Sequence, residues 1–185
     1  MKNLLKFTFA ILLIVGFTNE SKAQINIGAQ FGIGLPMETP FSDYQKMGFG
    51  GLLEGNYFIT ENISLGINAG YYSFSGKDVD VVGIGDKYPN FSVIPIIVKG
   101  DYYFLTSGFI PYGGISLGMY MLKSEKLTFG QVVIPSESDS KFGFSPHLGF
   151  LTGEDIKFGA EASYNIVEDA SYLNINLKVL FPLGK

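Results

Sequence analysis

His147 is the only histidine in the 185 residues, and the chain has neither cysteine nor arginine, so the side chains able to do chemistry are few. Ser145 shares the parity of His147, and Glu161 falls on the same parity one segment later. A nucleophile, a base and an acid of these types are what a hydrolase needs. The residues between them argue otherwise. Phe142, Phe144, Leu148 and Phe150 alternate with Gly143, Ser145, His147 and Gly149, which puts the histidine on a face of small polar residues. Side chains so small belong in a narrow enclosure, and the expected role of His147 is hydrogen bonding there.

Two other patterns carry still less. Asp78-Val79-Asp80-Val81-Val82-Gly83 has the glycine of a calcium loop, yet it lacks a third acid and has Pro89 where a bidentate Glu belongs. Gly48, Gly50 and Gly51, and the pair Gly113 and Gly114, are not followed by a Lys-Ser/Thr pair or a helix, so they are not phosphate cradles. They suit bends and close packing instead. No cofactor, metal or catalytic residue is expected.

The elements that hold these residues are strands with two unlike faces. In the segment from Phe49 to Phe74, Ile63, Leu65, Ile67, Ala69 and Tyr71 alternate with Ser64, Gly66, Asn68, Gly70 and Tyr72. A period of two is the mark of a strand. Bulk water usually meets Lys, Glu, Thr and Arg, whereas this polar face is Gly, Ser and Asn. The apolar face therefore points outward to lipid and the polar face inward. The same pattern recurs at Ile25–Leu35, Phe91–Phe104, Pro111–Lys123, Lys141–Leu151, Ile156–Ile166 and Tyr172–Phe181, with turns at Thr60-Glu61-Asn62 and Thr152-Gly153-Glu154-Asp155. Pro95 within the fourth strand predicts a bulge or a bend. The result is an all-β protein, an eight-stranded antiparallel up-and-down transmembrane β-barrel of about ten residues per strand.

Charge parity agrees with this reading. Glu54, Lys99, Asp101, Lys157, Glu161 and Lys178 all fall opposite the apolar set. A lysine at the lipid midplane costs about 2–4 kcal/mol, so a register slip of one residue would be severe. With Asn68 and His147 these residues form the expected polar and charged cluster of the lumen. Both signs occur, which predicts salt bridges and a largely plugged interior.

Charged residues make up 16% of the chain against 46% hydrophobic, and the formal net charge is -4. That balance and the missing arginine exclude a nucleic-acid partner. Lys2 and Lys6 precede an apolar run from Phe7 to Phe17, and Ser21-Lys22-Ala23 ends it in the manner of a signal peptide. Residues 1–23 are therefore expected to be cleaved, leaving 24–185 as the barrel. Beyond the leader no run is long enough for a spanning helix, so strands must do the crossing.

The connections alternate in length. Those at 36–46, 75–90 and 124–140 are long and polar, while the intervening ones are short, as expected when the short ones face the periplasm. The seventh, near Glu168, is short as well. Aromatic residues gather at strand ends and predict two interfacial girdles. One comprises Tyr57, Phe58, Tyr102, Tyr103, Phe104, Phe109 and Tyr112, the other Tyr71, Tyr72, Phe74, Phe91, Phe142, Tyr164 and Tyr172.

The hairpin Tyr57-Phe58-Ile59-Thr60-Glu61-Asn62-Ile63-Ser64-Leu65-Gly66, the run Ile94-Pro95-Ile96 leading to Tyr102-Tyr103-Phe104, the restart Pro111-Tyr112-Gly113-Gly114 and the closing Val179-Leu180-Phe181 carry a resemblance. From Gln24 onward the chain resembles the outer-membrane β-barrel domain family, the small porin-like proteins related to OmpX, OmpW and OmpA, in the form common in Gram-negative Bacteroidota. The resemblance implies residence in outer-membrane lipid and insertion by the barrel-assembly machinery, which reads a C-terminal aromatic. Here Phe181 is followed by Pro182-Leu183-Gly184-Lys185. Some such barrels modify lipid A, but an enzyme acting on membrane lipid presents its base to lipid, and His147 points inward.

Three functions are compatible with these features. The first is a structural or interaction role, with an extracellular partner met through loops 75–90 and 124–140. Val79, Val81, Val82 and Ile84 in one loop, and Leu127, Phe129, Val132, Val133 and Ile134 in the other, are apolar enough to extend the sheet or touch a partner. The second is OmpW-like transport of a small apolar molecule, for which Leu52, Ile97 and Leu151 would have to line the lumen. The third, a soluble lipocalin-like carrier, needs the opposite assignment of faces and a Gly-x-Trp signature that a chain without Trp cannot have.

Overall fold

The computed structural model describes residues 25–81, 84–129 and 132–183, so the expected leader at 1–23 lies outside the described residues. In chain order the strands are β1 Ile25–Pro36, β2 Gln45–Phe58, β3 Ile63–Gly76, β4 Asp78–Val81, β5 Ile84–Lys87, β6 Phe91–Tyr103, β7 Ile110–Ser124, β8 Leu127–Phe129, β9 Val132–Ile134, β10 Glu137–Thr152, β11 Lys157–Val167 and β12 Tyr172–Leu183. A single-turn helix, Phe41–Tyr44, precedes β2. β1, β2, β3, β6, β7, β10, β11 and β12 form one closed barrel in which each strand pairs with its sequence neighbour in that set, and β1 closes on β12. The closing register runs antiparallel from Ile25↔Leu183 to Pro36↔Tyr172. Closure leaves no unpaired edge, which lets strands cross a hydrocarbon layer. No helix among the described residues is long and apolar enough to do so.

The faces sort as alternation requires. Phe31, Leu53, Leu65, Ile67, Val98, Ile115, Phe142, Leu148, Phe158 and Leu177 stand exposed around the outside. Asn26, Gln30, Asn56, Ser64, Asn68, Ser116, Asn165, Asn174 and Asn176 are buried within. In water this arrangement would expose a continuous greasy belt, whereas in lipid it leaves only apolar surface in contact with acyl chains.

Prolines interrupt the ladder without shifting it. Pro95 pairs with Tyr120 on its β7 side, while on the β3 side the pairing passes from Ala69↔Ile96 to Tyr72↔Val93 in unchanged register. Of the bulge or bend expected at Pro95, the bulge is therefore absent. A residue with no N–H forfeits hydrogen bonds but adds no residue to the strand. Pro146 does the same between β10 and β11, where Phe144↔Ile166 gives way to His147↔Ser163. The register shift that does occur lies between Gln45 and Gly48 of β2.

The three long connections hold more structure than their polar sequences imply. β4 and β5 pair as a hairpin inside 75–90, β8 and β9 as another inside 124–140, and each is a separate two-stranded sheet beyond the barrel. β10 begins at Glu137, well inside the stretch read as a loop. The short turns are tight, with Gly108 at φ 71° and Gly153 at φ 110°. Asp169 takes φ 65° in the short seventh connection, a conformation Asp tolerates better than most side chains.

Candidate functional site

The barrel interior is layered along its axis. Nearest the short turns, Tyr103, Ile110, Tyr112, Leu151 and Leu180 form an apolar floor with Phe58 against it. Above it lies the charge network. Lys178 Nζ is 3.1 Å from Glu54 Oε2 and 3.2 Å from Glu161 Oε2, and Lys99 Nζ is 2.9 Å from Asp101 Oδ2, 3.4 Å from Glu54 Oε2 and 3.5 Å from Glu161 Oε2. Each of these residues is almost wholly buried. Charges so placed cost several kcal/mol each to desolvate, and mutual pairing with added hydrogen bonds offsets that cost. Tyr112 supplies two such bonds, donating to Glu161 Oε2 at 2.8 Å and accepting from Lys178 at 3.1 Å.

His147 sits in this layer with different neighbours from those its sequence position implies. Its Nε2 lies 2.6 Å from Asp101 Oδ1, and its Nδ1 is 3.3 Å from Ser116 Oγ. Ser145 Oγ, the expected neighbour, makes no hydrogen bond. Glu161, the expected acid, is turned to Tyr112 and the lysines. Ser116, His147 and Asp101 thus form a hydrogen-bonded chain across β7, β10 and β6. The close fit depends on Gly114, where a Cβ would stand 2.6 Å from His147 Nε2 and 2.8 Å from Asp101 Oδ1. A nucleophile needs a position about 3 Å away for a reacting atom, and the free space that Ser116 borders is only about 10 Å³, too small for a substrate.

Above the charges comes an amide and hydroxyl layer. Tyr72 donates to Asn176 Oδ1 at 2.8 Å, Asn176 donates to Gln30 Oε1 at 3.1 Å, and Gln30 donates to Glu54 Oε2 at 3.3 Å, a chain that crosses the lumen into the charge network. Tyr120 donates to Asn165 Oδ1 at 3.1 Å. Asn68 is buried in this layer, across the β2–β3 pair from Glu54. The free space among Asn68, Ser116, Ser145, Glu161 and Asn165 is about 10 Å³, about one water's worth. Towards the long connections a final layer is apolar, with Tyr72, Phe74, Val93, Tyr120, Leu122, Val167 and Tyr172 packed under Phe41.

Several expected positions are corrected by this arrangement. Lys157 has inward parity but lies at the end of β11, is only partly buried and joins none of the ion pairs found among the described residues. Of the aromatics expected in girdles, Tyr72, Phe74, Tyr103, Tyr112 and Tyr172 are buried inside, while Tyr71, Tyr102, Phe104, Phe109 and Phe142 are exposed outside. Parity decides the face rather than nearness to a strand end, and inside the barrel Tyr72, Tyr103 and Tyr112 donate their hydroxyls to Asn176, Asp101 and Glu161, while the hydroxyl of Tyr172 has no partner among the described residues. Gln30 and Asn176, which tie the layers together, carry no signal beyond that parity. Leu52 and Ile97 belong to the upper apolar layer and Leu151 to the floor, with the charges between them. Asp78 of the calcium-like sequence is bonded to Lys46 Nζ at 2.6 Å.

No protein-family model matches the chain, and neither does any curated protein sequence. Solved structures do. OprG of Pseudomonas aeruginosa aligns with a TM-score of 0.60 at 12% identity, over 89% of this chain and 98% of that one. Neisserial surface protein A aligns at 0.57 with 16% identity, over 87% and 97%. Ail, the attachment invasion locus protein of Yersinia pestis, aligns at 0.53 with 16% identity, over 89% and 100%. The fold is that of a small outer-membrane β-barrel. At these identities the likeness is one of architecture, and the side chains of the lumen must be read from this chain alone.

Proposed function

We propose that this protein resides in the outer membrane of a Gram-negative bacterium as a barrel closed to solutes, acting at the end that carries the long connections in a structural or interaction role. The observation that carries the reading is the buried network of Glu54, Lys99, Asp101, Glu161 and Lys178, with about 10 Å³ of free space above it. A hydrated ion finds no continuous path through such a layer, and an apolar solute would have to displace paired charges. An enzymatic role has no support in a Ser-His-Asp chain without room for substrate. The hairpins β4–β5 and β8–β9 stand beyond the barrel with free edges, which suits addition of a partner's strand. Phe181, exposed at the end of β12, is the aromatic available to the barrel-assembly machinery.

Planar-bilayer recordings on the refolded protein test closure. The expected result is no stable conductance from the parent, with measurable current once Glu54, Lys99, Glu161 and Lys178 are together replaced by alanine. A parent that conducts steadily overturns closure and returns the transport reading. Deletion of 78–87 or 127–134 is expected to leave the heat-modifiable band on SDS gels intact while abolishing cell-surface association with a partner.

A further inference from the structure

The mouth of the barrel contains a cavity that the lumen does not use. It has a volume of about 300 Å³, at the small end of ligand pockets, and its apolar walls are Pro40, Phe41, Tyr44, Tyr88, Pro89 and Phe91. Its floor is firm. The Phe41 ring stands edge-on to Phe74 at 5.0 Å and to Phe91 at 5.1 Å, and Tyr44 stands edge-on to Tyr88 at 4.8 Å. The segments that bear these rings are tied by main-chain bonds from Lys77 N–H to Tyr44 O at 2.8 Å and from Tyr88 N–H to Lys77 O at 2.9 Å. Lys77 Nζ adds a third tie to Ser42 O at 2.6 Å. The walls are therefore held in place before anything binds, which lowers the ordering cost of binding.

One wall residue is polar and incompletely satisfied. Gln45 is buried, and its Nε2 donates to Pro89 O over a long 3.3 Å. Its Oε1 is shut from solvent and accepts no hydrogen bond. A buried acceptor without a donor is costly, and a turn of the carboxamide that gives up its long bond to Pro89 would bring this oxygen from behind the wall to a donor in the pocket. Flat aromatic walls, small volume and one waiting acceptor define a complementary shape and chemistry. We propose that this pocket binds a small planar aromatic molecule carrying a single N–H or O–H donor, of the indole or phenol class. Asp169 also lines the pocket, and its carboxylate disfavours an anionic ring there. The site goes beyond the proposed function and does not rest on it, since a barrel that conducts could still hold this ligand at its mouth.

The chain has no Trp, so indole added to the protein in lipid nanodiscs is read by its own fluorescence. The probes are indole and N-methylindole, which share a shape and differ in the donor. Indole is expected to bind saturably and about 2- to 10-fold more tightly than N-methylindole, the ratio one net hydrogen bond supplies. Gln45→Leu is expected to erase that ratio and Tyr44→Ala to weaken both probes, each variant first shown to be folded by its heat-modifiable band. Uptake that never saturates, or that is equal in empty nanodiscs, is partition into lipid and overturns the site. An indole preference that survives Gln45→Leu overturns the role of Gln45 and with it the proposal.

Discussion

Near the short turns the lumen is filled by Glu54, Lys99, Asp101, His147, Glu161 and Lys178, whereas near the long connections it is filled by Phe41, Phe74, Val93, Leu122 and Tyr172. Both halves are filled by buried side chains, of opposite kinds. The charged half depends on every partner being present, because a single missing partner leaves an ion in a dry interior. The aromatic half is tolerant, since a truncated ring leaves a cavity whose cost grows with its volume. It is also the half that borders the pocket at the mouth. On the proposed reading, closure rests on the charged half and contact with the outside on the aromatic one.

The sharpest break of this contrast is Lys178→Met, which removes one partner of both Glu54 and Glu161 and is expected to destabilise by about 3–5 kcal/mol. Urea unfolding in detergent measures it. Adding Glu161→Gln is expected to recover part of the loss, because the pair is then removed together, and strict additivity would disprove their coupling. Phe74→Ala in the other half is expected to cost about 3 kcal/mol, while bilayer recordings stay silent because the charges below are intact. Current from Phe74→Ala would move the closure to the upper half. Tyr72→Phe, at the boundary, removes only the bond to Asn176 and is expected to cost about 1 kcal/mol.

The smallest effect lies at the start of β10, where residues 137–140 are all exposed. The Asp139 carboxyl is held below the usual carboxylate range by the Ser140 N–H and by Lys141. A depressed folded-state value means that its contribution is present above the ordinary carboxylate pKa and fades as pH falls through the depressed one. The group is exposed, so added salt screens the pair. Asp139→Asn is therefore expected to leave the unfolding midpoint unchanged at neutral pH, and a clear shift would mean that this rim carries more of the fold than the lumen contrast allows.

The strand alternation by itself determined a great deal. It marks which face of each strand meets lipid, and Glu54, Lys99, Asp101, Glu161 and Lys178 lie inside as their parity requires. The alternation of long and short connections likewise specifies an up-and-down order, and the barrel has it. Where parity and position along the strand pointed different ways, as at Tyr72, Tyr112 and Tyr172, parity was the better guide. The hairpins at 78–87 and 127–134 were half legible: their Val, Ile, Leu and Phe residues suggested further strand, while Gly83, Gly85 and Asp86 in the first and Gly130 in the second read as loop signals.

What only the tertiary structure decided is who meets whom across the lumen. Parity says that His147, Ser145, Ser116, Asp101 and Glu161 all point inward, but not at what height. Height follows from the stagger of eight tilted strands around a closed sheet, a property of the whole ring that no single strand encodes. That stagger joins His147 to Asp101 and Ser116 and turns Glu161 to Tyr112. It likewise brings Phe41 and Gln45, at the entry to β2, and Tyr88 and Phe91, at the entry to β6, into one pocket.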